Sequence, residues 1–214
     1  MIVRDDYSRK SWLYFLRRKS DSDSAFNRFL ANVRADGFPS VVHIVRSDNG
    51  GEFFGSKFRT VCDDLLIKQE FAPANSPQYN GVAERQLGLI EATAMAARIQ
   101  AKILFGHVQL PKTDKLWAEA MHWACGQLNH TASSANPDNK SPNEMWFETA
   151  AHTKSHPFLK QAYCRWKRPT KSLPKAESCF YLGPSRKHPR NCYRVLTRGG
   201  EIVGTRDVTW EASP

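Results

Sequence analysis

The chain has 214 residues, a mass of 24.3 kDa and a formal net charge of +10. Hydrophobic residues make up 41% of it, which is enough apolar material for a core and excludes a disordered tail as the main description. No run of about 18 apolar residues occurs, so we expect no membrane span. The first six residues (MIVRDD) carry acids where a signal peptide needs an apolar stretch, so we expect an intracellular protein.

The positive charge is concentrated at one end of the chain. Residues 151–214 hold 13 Lys and Arg against 4 Asp and Glu, a net +9, whereas residues 1–150 have a net charge of only +1. A basic module beside a neutral one indicates a polyanionic partner, most commonly a phosphate backbone. The alternative is a basic, solvated surface that binds nothing in particular. The five cysteines are widely spaced, without a C-x-x-C pair, and are expected to pack as small apolar thiols.

The first 80 residues alternate strand and helix patterns. Residues 1–5 and 11–16 predict a hairpin, and apolar residues from Ser20 onward repeat at helical spacing. The continuous apolar run 41–45 (VVHIV) predicts a strand buried on both faces. A second helix is predicted through Phe58 to Leu66, followed by a short edge strand at 68–71.

The remainder is predicted to be helical and then β. A loop at 72–81 precedes helices at 82–104 and 114–129, and a short helical piece is predicted at 144–148. Beyond residue 150, short β runs alternate with Gly, Pro and basic residues. We therefore predict the α/β class with two domains, an α/β core over 1–150 and a small basic β module over 151–214.

Two carboxylates stand at positions suited to chemistry. Asp48 directly follows the apolar strand, and sites in open α/β sheets form at the carboxyl ends of strands. Glu84 falls in the first turn of the helix that follows the Pro/Asn/Gly-rich loop. Taken singly, Asp48 could be a turn former, and an acid in a first helical turn is ordinary capping electrostatics. Neither residue identifies a function by itself.

The two acids together carry more information, because 35 residues separate them. They lie in the blocks 46–53 (RSDNGGEF) and 76–85 (SPQYNGVAER). This combination resembles the catalytic core of retroviral-type integrases, and in particular the integrases of copia-type LTR retrotransposons. Five further blocks match that family in colinear order: 5–10 (DDYSRK), 117–120 (WAEA), 141–146 (SPNEMW), 180–183 (FYLG) and 206–208 (RDV).

The resemblance implies a ribonuclease-H-like mixed sheet flanked by helices. It also implies DNA integration by metal-dependent phosphodiester cleavage and strand transfer, with Asp48 and Glu84 as catalytic residues and ligands of Mg²⁺ or Mn²⁺. Such ions prefer oxygen ligands, and two of them can stabilise both the attacking and the leaving oxygen. The implied partners are DNA, as element ends and target, and further copies of the chain in a homo-oligomer; the implied location is the nucleus.

The resemblance also predicts where this chain departs from the family. The family's first catalytic Asp lies upstream of the block at 5–10, so we expect an N-terminally truncated copy with impaired activity. Asp5 and Asp6 are expected to be an exposed turn pair, and Glu52 a solvated loop residue. Gln86 and Leu87 replace the basic and Asn residues common after the family's A-E-R.

Candidate nucleic-acid contacts fall into three groups. Near the acids, Arg46 and Arg85 would meet phosphates or pair with those acids. The loop before Glu84 touches DNA in the family, although such a loop is also an ordinary solvent-exposed connector. The candidates of this loop are Asn75, Gln78, Tyr79 and Asn80. In the basic module over 151–214, called the basic tail below, the candidates are Arg165, Lys167, Arg168 and Lys171.

Three hypotheses remain open from the sequence. The chain is an enzyme of the integrase class, a non-catalytic nucleic-acid-binding remnant of a retrotransposon polyprotein, or a chain that does not fold stably. The third follows because an absent first strand would leave a sheet edge unpaired.

Overall fold

The computed structural model describes residues 1–37, 42–48, 50–73, 81–106, 113–149, 155–165, 170–172, 174–185 and 191–211. The chain begins with the predicted hairpin, in which strands β1 (Ile2–Arg4) and β2 (Ser11–Leu13) pair antiparallel. In the connecting turn, Asp5 Oδ2 accepts hydrogen bonds at 2.6 Å from both the backbone amide and the hydroxyl of Ser8. The predicted turn role of Asp5 is therefore confirmed, but its predicted exposure is not, because Asp5 is half-buried by these contacts whereas Asp6 is exposed.

Helix α1 (Ser22–Ala35) confirms the helical period predicted after Ser20. The predicted apolar residues Phe26, Phe29, Leu30 and Val33 are buried. The ring of Phe26 lies 4.8 Å from that of Phe58 in helix α3 (Ser56–Asp64). A single helical turn, α2 (Gly51–Phe54), precedes α3. The aromatic contacts among these helices form the core of the first part of the chain.

Strands β3 (Ile44–Ser47) and β4 (Lys68–Phe71) pair in parallel. The predicted burial of the 41–45 run on both faces is wrong, because the side chain of Ile44 is 51% exposed. The reason lies in the strand register: Ile44 aligns with Lys68, and Arg46 aligns with Glu70. One face of this pair therefore carries charged side chains that stay in water.

Helix α3 ends earlier than its apolar pattern predicted. Its last residue is Asp64, and Leu66 adopts a left-handed conformation with φ of 55°. The Ile67 amide donates to the Cys62 carbonyl at 2.8 Å and the Leu66 amide to the Asp63 carbonyl at 3.2 Å, which is the Schellman arrangement of a helix end. Leu66 thus points into solvent, and its expected place on the helix face is wrong.

Three helices follow, α4 (Gly81–Leu104), α5 (Trp117–His130) and α6 (Pro142–Phe147). The predicted apolar face of α4 is buried at Ile90, Ala94, Ala97 and Ala101, but its last member, Leu104, is 43% exposed at the helix end. Helix α6 begins with a capping box, in which Ser141 Oγ accepts from the Glu144 amide and Glu144 Oε2 accepts from the Ser141 amide. The 141–146 block thus has a structural role as a helix start.

The predicted β module is an antiparallel sheet in the order β8-β7-β6-β5-β9. The rings of Tyr193 in β7 and Trp210 in β9 are 5.1 Å apart, although β6 and β5 lie between these two strands in the sheet. Because neighbouring strands are about 4.8 Å apart, a flat sheet would hold these rings roughly 14 Å from each other. The sheet is therefore strongly curled. Its strands are β5 (Gln161–Arg165), β6 (Ala176–Pro184), β7 (Tyr193–Thr197), β8 (Ile202–Thr205) and β9 (Val208–Trp210).

The inner face of the curled sheet is apolar. Ala162, Cys164, Cys179 and Val195 are buried there as one cluster. Cys62 and Cys125 are buried elsewhere, so four of the five thiols pack as predicted. On the other face, α5 packs against β6, and Glu119 forms a 2.7 Å ion pair with Arg194.

The chain divides into two compact units, Met1–Leu89 and Ile90–Pro214. The predicted mixed α/β class is confirmed, since both units combine helices with strands. The C-terminal sheet shares its unit with α5 and α6, and a domain boundary near residue 150 stays a prediction. Across the described part of the chain, every helix is too short or too polar to cross a bilayer.

Candidate metal and nucleic-acid site

Asp48 lies where the sequence predicted, at the carboxyl end of a parallel strand. Strand β3 ends at Ser47, and the next side chain, Asp48, is exposed to solvent. Asp48 Oδ1 accepts a hydrogen bond from the Gly50 amide at 3.1 Å. This bond holds Asp48 Oδ1 towards the turn. The Asp48 carboxylate is exposed, so it presents oxygen ligands of the kind that hard cations prefer.

Glu52 lies close to Asp48, but the prediction of a solvated loop residue is wrong, because Glu52 is half-buried in the helical turn α2. A Cβ built on Gly50 would stand 3.0 Å from Asp48 Oδ1 and 3.0 Å from Glu52 Oε2. Asp48 Oδ1 and Glu52 Oε2 therefore lie near the same position and are no more than about 6 Å apart. Glu52 is held in place through its carbonyl, which accepts from the Ser22 hydroxyl of α1 at 3.5 Å.

Glu84 also lies where it was predicted, in the first turn of α4, and its side chain is exposed. A carboxylate is favourable there because the amide groups of a helix N-terminus carry partial positive charge. Arg85 is exposed beside it. The preceding loop contacts predicted at Asn75, Gln78, Tyr79 and Asn80 lie outside the described residues.

Gln86 has a structural role that explains its departure from the family pattern. Its side chain is buried, and its Oε1 accepts a hydrogen bond from the guanidinium of Arg4 at the end of β1. The first two turns of α4 are thus tied to the N-terminal hairpin on their inner side. Glu84 and Arg85 project into solvent from the same turns.

Arg46 pairs with an acid other than the two candidates. Its guanidinium lies 3.0 Å from Glu70 Oε2, and Lys68 Nζ lies 3.0 Å from Glu70 Oε1. Hydrogen bonds from Lys68 and from Arg46 lower the pKa of Glu70. The three side chains form an exposed charged strip along β3 and β4, on which a phosphate would compete with Glu70 for Arg46.

The basic tail is described in part. Arg165 is exposed at the end of β5, and Lys171 is exposed in the loop that follows. The other two candidates, Lys167 and Arg168, lie outside the described residues. Lys175, Arg198 and Arg206 are further exposed cations of the same unit, and only their contribution to the net charge signalled them in the sequence.

A magnesium or manganese ion fits the chemistry of Asp48, because its carboxylate is exposed and oriented and a second carboxylate adjoins it. Within the described ranges no group of three or more His, Cys, Asp and Glu side chains that could hold a metal is formed. The donors present suit a hydrated ion held by few protein ligands rather than a closed cage.

Two solved structures that are similar to this chain contain viral integrases. The HTLV-2 integrase catalytic core domain in complex with magnesium, in its trimeric form, has a TM-score of 0.45 and 21% identity, covering 67% of this chain and 81% of that one. The simian T-cell lymphotropic virus intasome in complex with the PP2A regulatory subunit B56 gamma has a TM-score of 0.49 and 15% identity, covering 100% and 72%. No protein-family model matches the chain.

Curated relatives place the chain among retrovirus-related Pol polyproteins of transposons. It is 31% identical over 185 residues to that of transposon TNT 1-94 from Nicotiana tabacum, a match covering 84% of this chain and 13% of the relative. Those of RE1 and RE2 from Arabidopsis thaliana are 28% and 27% identical, over 86% and 99% of this chain and 12% and 14% of theirs. The chain spans about an eighth of these relatives. It belongs to the copia-type retrotransposon Pol polyproteins, of which it represents one region.

Proposed function

We propose that this chain is the integrase-type part of a retrotransposon Pol polyprotein and acts in DNA integration. It binds nucleic acid and contributes Asp48 and Glu84 to metal-dependent phosphodiester cleavage and strand transfer. The observation that carries the proposal is the exposed, oriented carboxylate of Asp48 at the end of a parallel strand, in a chain related to Pol polyproteins. The magnesium complex of the HTLV-2 core domain supports Mg²⁺ as the ion.

The residues of this chain have distinct parts in that chemistry. Asp48 and Glu84 would hold Mg²⁺ or Mn²⁺, which when bound stabilises the attacking and leaving oxygens of an in-line displacement. The Gly50 amide orients the Asp48 carboxylate. The Arg4–Gln86 hydrogen bond sets the start of the helix that carries Glu84. Arg85 would contact a phosphate that approaches the two acids.

The basic tail supplies affinity for DNA without reading its sequence. Lys and Arg side chains neutralise phosphates, and the net charge of +9 over residues 151–214 suits a long phosphate backbone. We propose Arg165, Lys167, Arg168 and Lys171 as contacts there, and Arg46, Asn75, Gln78, Tyr79 and Asn80 as contacts nearer the acids. Element ends and target DNA would be the partners, in a homo-oligomer in the nucleus.

Strand transfer with short donor duplexes and Mg²⁺ or Mn²⁺ tests the catalytic part. Asp48→Asn and Glu84→Gln should each lower transfer at least 100-fold, because each removes a charged ligand while keeping the shape of the side chain. Glu91→Gln is the matched control, since Glu91 is an exposed acid two turns further along the same helix. If Asp48→Asn transfers strands as well as the unchanged chain, the proposed chemistry is wrong.

The alternative is a non-catalytic nucleic-acid binder, which the concentration of charge in the tail favours. It predicts that the unchanged chain transfers no strands with either metal but binds DNA at low salt. Affinity would then survive both Asp48→Asn and Glu84→Gln. Binding that does not vary with salt, or an absence of binding at low salt, would exclude this alternative.

A further inference from the structure

The outward face of α4 carries large apolar side chains that the described part of the chain leaves exposed. Met95, Ile99 and Ile103 are 54%, 54% and 77% exposed. They recur every four residues, and each step of four turns the side chain by only about 40° around the helix axis. The three side chains therefore lie on one side of α4. Single exposed apolar residues are common on protein surfaces, but an aligned set indicates an interaction surface.

The same side of α4 carries small residues nearer its N-terminus. Ala92 and Ala96 are exposed there, whereas Ile99 and Ile103 follow towards the C-terminus. When two copies of such a face pack with their helices antiparallel, the large side chains of each copy lie against the small ones of the other. The set formed by these four residues and Met95 is called the α4 patch below.

Two opposite charges border the α4 patch along one of its long sides. Glu91 and Lys102 are both exposed, and within the described ranges neither forms an ion pair. They are eleven residues apart, so their side chains project within roughly 20° of each other and about 17 Å apart along the axis. The border is therefore acidic at one end and basic at the other.

The charges complement each other when α4 packs against a second copy of itself. In an antiparallel pair related by a two-fold axis, residues on the same border of the two helices meet. Glu91 of each copy then faces Lys102 of the other if the axis passes next to Ala96. In this register Ile99 of one copy lies between the heights of Ala92 and Ala96 of the other, where small side chains leave room for it.

We infer that the α4 patch is an interface between two copies of this chain, in which the α4 helices pack antiparallel across a two-fold axis. The patch fits a second copy because both side-chain size and bordering charge reverse from one of its ends to the other. The inference rests on the proposed function, to whose homo-oligomer it gives an interface. The bordered stretch of about 17 Å is shorter than a standard interface, so we expect a reversible dimer with a Kd on the order of 10 µM.

Sedimentation equilibrium of the full chain at micromolar concentrations tests the inference. The unchanged chain should shift from the 24.3 kDa of one copy to twice that mass. Ile99→Lys should weaken the dimer at least about 100-fold, because the two-fold axis places two unpaired charges in the apolar contact. Ile202→Lys is the matched control, since Ile202 is 45% exposed on β8 of the same unit and lies outside the patch. Thermal melts verify that each variant keeps the fold.

Charge reversal tests the antiparallel register. Glu91→Lys and Lys102→Glu each place like charges opposite one another at two points of the dimer, and each should weaken it at least about tenfold. The variant that carries both changes restores opposite charges and should dimerise within about threefold of the unchanged chain. Glu91→Gln removes an exposed attraction without adding a repulsion, so its dimer should stay within about fivefold.

The outcomes separate this inference from the proposed function. If the unchanged chain dimerises and Ile99→Lys dimerises as tightly, the interface lies elsewhere and the proposed function stands. If Ile99→Lys breaks the dimer but both single reversals leave it intact, the antiparallel register is wrong. A chain that stays single at about ten times the expected Kd overturns the inference. Failure of the proposed chemistry appears instead in the strand-transfer comparison of Asp48→Asn with the unchanged chain, which sedimentation does not measure.

Discussion

Lys10 is a charged residue that the fold takes out of water. Its side chain is 7% exposed, with Nζ 3.5 Å from Asp36 Oδ2 and 5.3 Å from the centre of the Trp12 ring. Burial lowers the pKa of Lys10 to about 8, against the opposing effect of the Asp36 carboxylate. The sequence did not predict the burial of Lys10, because a lysine in the polar block DDYSRK is expected to be solvated.

Replacing Lys10 by Met should stabilise the protein at neutral pH and remove a pH dependence. The pKa of Lys10 is lower in the folded chain than the roughly 10.4 of an unfolded chain, so the unfolded state binds more protons between these values. Stability from this group therefore rises as pH rises from about 8 to about 10.4, and the full penalty applies below 8.

Urea unfolding at pH 7, 9 and 10 measures this effect. Lys10→Met should raise the free energy of unfolding by on the order of 1–3 kcal/mol at pH 7. It should also abolish the increase in that free energy above pH 8. The control is Lys57→Met, which changes an exposed lysine. A wild-type pH slope in the Lys10 variant would contradict the prediction.

At the scale of single elements, the end of α3 carries a strained residue. Leu66 combines a φ of 55° with 89% exposure, so it bears the cost of a left-handed conformation without burying its side chain. Glycine is the common residue at this position of a Schellman motif. Leu66→Gly should therefore raise the free energy of unfolding by about 0.5–1 kcal/mol, even after the entropy that glycine adds to the unfolded chain.

Chemical denaturation of Leu66→Gly and Leu65→Gly side by side measures that gain. Leu65 lies one residue earlier and has a φ of −104°, which any residue adopts. Glycine there relieves no strain, so Leu65→Gly should lower the free energy of unfolding. Equal losses from both substitutions would show that the conformation at Leu66 carries no strain.

Elements with a long period were predictable and elements defined by their neighbours were not. Helices α1 and α4 repeat apolar residues every three or four positions over many turns, and both occur within a few residues of their predicted bounds. Strand β3 was expected to be buried on both faces because the run 41–45 is apolar. Whether a strand is covered depends on what packs against it, and Ile44 shares its face with Lys68 and Glu70.

For the whole molecule, the uneven charge predicts that the proposed binding to DNA depends on salt. Each phosphate contact contributes about 0.9 to the slope of log K against log salt. Substituting Arg165 and Lys171 by Gln should therefore reduce the slope by roughly 2 in total. Fluorescence anisotropy with a labelled duplex at several salt concentrations measures it, with Lys57→Gln as the exposed control in the other unit. An unchanged slope in the double variant would remove these two residues from the interface.

The candidate site was only partly predictable. Asp48 and Glu84 were identified from motif blocks and spacing, and each lies at the predicted end of its element. The place of Glu52 in a half-buried helical turn was not predicted, since four residues are too few to show a helical period. Gln86 was noted only as a departure, because its partner, Arg4, is 82 positions away along the chain.

That distant bond has a practical consequence for anyone who shortens a clone of this gene at its 5′ end. Removing the first four codons would delete Arg4 together with strand β1, and the inner side of α4 would lose its anchor. A protein shortened in this way would keep Asp48, Glu84 and the complete sequence blocks around them. An assay on such a protein would nevertheless measure a chain in which Arg4 no longer holds the start of α4. A useful fragment therefore keeps the whole hairpin.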